Sequence, residues 1–163
     1  MNEKSEVKIE LKGVKLFAEL SEETTAFFCT VYVNGVKAFT ASNDGKGGAN
    51  RYDLVKLTDR HRDLLRQAEE YARSLPPKPY QGMELTYDLD LLMGDLLMEW
   101  EVNRWLKRQC RTKTLFRLPG DEEGSWRTIA AHYNVRVMTH IRDRYGDKVE
   151  IANDRFQEVG DVV

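Results

Sequence analysis

The stretch TTAFFCTVYVNGVKAFTAS, residues 24–42, constrains the fold more than any other part of the chain. Apolar residues recur at every second position. Phe27, Cys29, Val31 and Val33 share one face, and Ala26, Phe28 and Tyr32 share the other. A period of two is that of a β-strand. Asn34-Gly35 then offers the positive φ angles of a two-residue hairpin turn, and residues 36–41 return as the partner strand. Both faces of the first strand are apolar, so it is expected at the centre of a sheet and covered on both sides. The aromatics Phe27, Phe28, Tyr32, Phe39 and Tyr52 are accordingly assigned to the core. A base-stacking role would need one face of the sheet to be open.

Around this hairpin the pattern builds an antiparallel meander. VKIELKG alternates, and its apolar parity flips after Gly13, which suggests a bulge or a turn. NRYDLVKL is a further short strand. Thr58 is placed as the N-cap of a helix running to about residue 75, with Leu57, His61, Leu64, Leu65, Ala68, Ala72 and Leu75 on one stripe. PPKP ends that helix and reads as a stiff linker. A longer helix spans about 87–110. TKTLFRL and SWRTIA form a second hairpin around PGDEEG, and Asn134 caps a last helix closed by Gly146. KVEIAND is read as a short final strand. The expected fold is α+β: an antiparallel sheet packed against two or three helices, with a second β-hairpin in the C-terminal third. One domain, 1–163, is expected. Its best internal boundary is 76–82, and its tail, 157–163, is expected to fray.

The N-terminus has no signal-peptide pattern and no apolar run is long enough to span a membrane, so a cytoplasmic protein is expected. Two cysteines in 163 residues, Cys29 and Cys110, read as reduced core thiols.

Charge is distributed unevenly. Residues 1–103 hold 13 basic and 18 acidic side chains, whereas residues 104–163 hold 12 and 9. Arg104, Lys107, Arg108, Arg111, Lys113 and Arg117 follow one another without an intervening acid, and Arg127 on the returning strand joins them. On a helix the first four share a face by steps of three and four. Such a patch suits a phosphate backbone. Asp88, Asp95 and Glu99 mark an acidic face on the preceding part of the same helix. Leu91, Met98 and Trp105, spaced by seven, form a second apolar stripe on it and suggest self-association.

SNDGKGGAN, residues 42–50, concentrates three glycines around Lys46. Free amides and a cation are the parts of an anion site. The spacing fits neither the P-loop nor the dinucleotide fingerprint, and Asp44 alone is too little for calcium. A strand-to-strand turn is the leading reading, with Asn43, Asp44, Lys46 and Asn50 as its candidate contact residues. His61, His132 and His140 share no metal-ligand spacing, and no nucleophile motif occurs. No catalytic residue, metal or cofactor is assigned.

In size and texture the chain resembles small cytoplasmic proteins of bacteria, their mobile elements and phages. The leading expectation is a non-enzymatic binding protein that docks on a protein partner through charged faces, inhibiting or adapting a nucleic-acid-handling enzyme. Direct nucleic-acid binding through 104–117 is the alternative. An enzyme acting on a phosphorylated ligand held by 42–50 is the third reading.

Overall fold

A computed structural model describes residues 6–156. The tail expected to fray, 157–163, lies outside the described residues. The chain divides into two compact units, Met1–Leu97 and Met98–Val163. The division falls inside a helix rather than at 76–82.

The first unit is built on a four-stranded antiparallel meander: β1 (Ile9–Leu16), β2 (Phe27–Val33), β3 (Val36–Asn43) and β4 (Arg51–Leu54), paired in that order. The parity flip at Gly13 is a bulge within β1, where the register shifts between Lys12 and Lys15 and Gly13 takes φ 62°. The β2–β3 turn places Asn34 and Gly35 at φ 50° and 79°, the mirror-image turn that matches strand twist. Helix α1 (Asp59–Ser74) and the first half of α2 (Leu89–Gln109) cover the inward face of this sheet. Phe27, Cys29, Val31, Val33, Phe39 and Ala41 meet Leu64, Ala68, Ala72, Leu92, Met93 and Leu97 there. Each large apolar side chain buried in this way contributes about 1.5–3 kcal/mol. The Thr58 hydroxyl caps α1 by accepting from His61 N and also bonds the buried His61 ring at Nδ1, 2.6 Å away.

The structure corrects the sequence reading in two places. The PPKP stretch is not a plain linker. It leads into a small hairpin, β5 (Lys78–Tyr80) with β6 (Met83–Leu85), turned by Gln81 and Gly82 at φ 47° and 80°. Glycine at the second turn position supplied that signal, and the prolines masked it. β2 is central as expected, but its second face is only partly covered: Phe28 remains 41% exposed, and Thr30 and Tyr32 are half-buried.

In the second unit β7 (Thr114–Arg117) pairs with β8 (Arg127–Ile129) on one side and with β9 (Glu150–Ile151) on the other, all antiparallel. α3 (Val135–Tyr145) is capped by the Asn134 side chain, which accepts from Val137 N at 3.1 Å, and ends at Gly146 with φ 90°. Phe116, Tyr133, Ile141, Val149 and Ile151 form one apolar cluster; Leu106, Cys110, Leu115 and Ala152 form another. Cys29 and Cys110 are buried free thiols. Burial pushes the Cys29 thiol up to about 11, so it stays protonated.

Candidate functional site

The glycine-rich loop joins β3 to β4, and the amides of Gly45, Lys46, Gly47 and Asn50 are already engaged. Gly45 N donates to Asn43 Oδ1 at 2.9 Å, Lys46 N to Asp44 Oδ1 at 3.2 Å and Gly47 N to Thr24 Oγ1 at 3.3 Å. The Gly45 carbonyl accepts from the amides of Glu22, Glu23 and Thr24 at 2.9–3.3 Å. Asn43 Nδ2 donates to Gly48 O and to Asn50 Oδ1. Asn50 N and the Tyr52 hydroxyl both donate to the Asp90 carboxylate, at 3.1 and 2.6 Å. Burial, reinforced by that carboxylate, holds the Tyr52 hydroxyl well above its ordinary range. The length beyond a two-residue turn thus ties 20–24, β4 and the start of α2 together. Lys46 is exposed at the surface of this lock.

The acids of the predicted acidic face do separate things. Asp88 Oδ1 accepts from Leu91 N at 2.8 Å and caps α2. Asp95 accepts from Lys78 Nζ at 2.7 Å and from the Tyr87 hydroxyl at 2.5 Å. Partial burial works against its charged form, but these two donors outweigh burial and lower its pKa. Glu99 lies exposed in the second unit.

The second half of α2 is different. Its inward face carries the buried Leu106 and, just past the helix, Cys110. On the outside Met98, Val102 and Trp105, spaced i, i+4 and i+7, are 65%, 42% and 42% exposed. Leu91, the third member of the predicted stripe, is half-buried and belongs to the first unit. Val102, which a spacing of seven passes over, takes its place. Beside this stripe Arg104, Lys107, Arg108 and Arg111 line a depression of about 280 Å³ without contribution from any other residue. The Arg104 guanidinium stacks over Trp100 with 5.3 Å to the ring centre. The four cations follow the dipole of α2, whose negative end they face.

The rest of the predicted basic segment is engaged elsewhere. Lys113 Nζ donates to Gln109 Oε1 at 3.3 Å. Arg127 holds Asp121 by two parallel bonds of 2.9 and 3.0 Å. Arg117 and Arg155 each hold Glu150 at 2.6 Å and lie over the Trp126 ring, at 4.7 and 5.4 Å. Sequence reasoning missed that cluster because Trp126, Glu150 and Arg155 are brought together only by the three-stranded sheet. With Arg142–Asp154, these are the ion pairs of the second unit among the described residues, and none uses Arg104, Lys107, Arg108 or Arg111.

The Asp121 contact makes a pH prediction. Hydrogen bonds from Arg127 and from Leu118 N hold its carboxyl at about 2, against an ordinary 3.8. A carboxylate with a depressed folded-state pKa stabilises the fold above its ordinary pKa, and that contribution disappears as pH falls toward 2. Asp121→Asn is therefore expected to flatten the loss of thermal stability between pH 4 and pH 2 relative to the unmodified protein. Equal acid sensitivity in both would show that Asp121 contributes nothing.

Among the described residues no group of three or more His, Cys, Asp or Glu side chains is placed to hold a metal ion. No described helix is long and apolar enough to cross a membrane. No family model, curated protein or solved structure matches this chain.

Proposed function

We propose that this chain is a non-enzymatic binding protein that docks on an acidic protein partner through the second half of α2. One observation carries the reading: an exposed Met98–Val102–Trp105 stripe lies beside four cations that none of the described acids neutralises. An apolar centre flanked by charge is the anatomy of a protein interface, and Trp and Arg are the residues that most often dominate its energy. A phosphate backbone would use the cations alone and leave the stripe idle. The internal engagement of Asp88 and Asp95 favours a basic docking face over an acidic one. The proposal is for a cytoplasmic protein, since two buried, unpaired thiols suit a reducing compartment.

The test compares polypeptides captured from lysate by the tagged protein, by Trp105→Ala and by Arg104→Glu/Arg108→Glu. Circular dichroism and thermal unfolding serve as controls of fold. The expected result is an acidic polypeptide whose capture falls roughly thirtyfold with Trp105→Ala, as for a hot-spot residue worth about 2 kcal/mol. The double charge reversal should lower capture at least as much and flatten the fall of association with rising salt. Capture that survives both variants would refute the reading. So would binding that ignores Trp105→Ala and is competed by duplex DNA, which would assign the depression to nucleic acid.

A further inference from the structure

The outward face of the four-stranded sheet carries a surface unrelated to α2. Three rows of side chains cross it, read from the strand registers. They are Lys15–Phe28–Ser42–Arg51, Lys12–Thr30–Thr40–Asp53 and Glu10–Tyr32–Lys37. The two aromatic residues lie on β2, an interior strand, four positions apart. Strand geometry puts them about 13 Å from each other. Phe28 is 41% exposed, and its lateral neighbour Ser42 is too small to cover the ring. Tyr32 is half-buried, with the Lys12 ammonium 4.2 Å from its ring centre. The core does not need either ring, because Phe27, Val31 and Phe39 fill the inward face.

Four cations surround these rings: Lys12, Lys15, Lys37 and Arg51. Arg51 pairs with Asp53 at 2.8 Å, and Lys8, at the edge, pairs with Glu10 at 3.4 Å. The other ion pairs of the first unit among the described residues lie on α1 or at Lys78–Asp95. Lys12, Lys15 and Lys37 therefore face solvent without an acidic partner among the described residues. Two of these lysines, Lys12 and Lys15, flank the bulge in β1.

We infer that this open face binds single-stranded nucleic acid, with Phe28 and Tyr32 stacking separate bases and Lys12, Lys15 and Lys37 meeting the backbone phosphates. The rings favour this ligand over other polyanions. Every base has a π-face, so exposed aromatics on a cationic sheet hold a strand without reading its sequence. A duplex keeps its bases stacked inside and presents only phosphates to such a surface. The Lys12 contact with Tyr32 has a place in the scheme: an incoming base takes the ring face, and the displaced ammonium turns to the adjoining phosphate. Three phosphate contacts give a salt slope of about −2 on a log–log plot.

The test is fluorescence anisotropy of the full chain with labelled oligouridylate and oligothymidylate of about twelve nucleotides, at about 50 and about 200 mM salt. The intact protein is expected to bind at the lower salt. Phe28→Ala and Tyr32→Ala should each weaken binding roughly tenfold. Phe28→Tyr, which keeps the ring, should retain affinity, and this separates loss of stacking from damage to the sheet. Lys12→Glu/Lys15→Glu should weaken binding and flatten the salt dependence. Arg104→Glu/Arg108→Glu should leave it unchanged, so the result is independent of the docking proposal for α2. Three outcomes overturn the inference: no binding at low salt, wild-type affinity in Phe28→Ala/Tyr32→Ala, or equal competition by a duplex of the same length.

Discussion

Asn153→Ala is expected to lower the unfolding free energy by about 3 kcal/mol or more. Asn153 is fully buried and polar. Its Oδ1 accepts from Leu115 N at 3.0 Å, and its Nδ2 donates to Lys113 O at 2.9 Å and to Cys110 O at 3.4 Å. One side chain thus closes the turn that leaves α2 and fixes the start of β7. Alanine leaves an amide and two carbonyls without these partners inside the protein. Each costs about 1–3 kcal/mol when water cannot replace the lost bond. Asn153→Asp retains the acceptor but turns a carboxylate toward two carbonyl oxygens, so it should be worse at neutral pH and recover in part as pH falls. Urea unfolding at pH 7 and pH 5 measures both. A midpoint unchanged in Asn153→Ala would mean the clamp is dispensable.

Gly45→Ala should cost about 3 kcal/mol in the first unit. Gly45 is buried at φ 82°. A Cβ there would stand 2.1 Å from the Leu20 carbonyl oxygen and 2.9 Å from Ala26 Cβ. The nearer atom belongs to the backbone and cannot swing aside as a side-chain terminus would. The loop must lift, and the three amides that donate to Gly45 O lose their acceptor. Gly48→Ala is the matched control. Its φ is 91°, but a Cβ would meet nothing within 4 Å. It should cost only the left-handed conformation, about 1 kcal/mol. Equal losses in the two variants would show that close packing at Gly45 contributes nothing.

These two residues also show what the sequence discloses and what it withholds. Periodicity and turn chemistry are local, so the β2–β3 hairpin, the Thr58 and Asn134 caps and the antiparallel meander were legible from residue order. Asn153 was not, because its three partners lie 38 to 43 positions away and appear only when β9 folds against β7. The loop 42–50 was recognisable as a connection between strands, but its role as a lock depends on Thr24 and Asp90, which are remote in sequence. The basic segment was visible as a charge run. Its division into four cations without an ion pair among the described residues and several engaged ones required the positions of Asp121 and Glu150. Phe28 and Tyr32 were misplaced for a different reason. Alternation says which residues share a face of a strand, but not whether a helix covers that face.

The two proposed surfaces, a sheet face for a single strand and a helix end for a protein, lie on different units. The helix end is the central claim, and a photoreactive residue in place of Trp105 tests it most directly. Irradiation in lysate should give one dominant crosslink to an acidic polypeptide. The same probe at Glu70, exposed on α1, should not give it. Identical crosslinking patterns from both positions, or none from position 105 while the variant remains folded, would contradict the account.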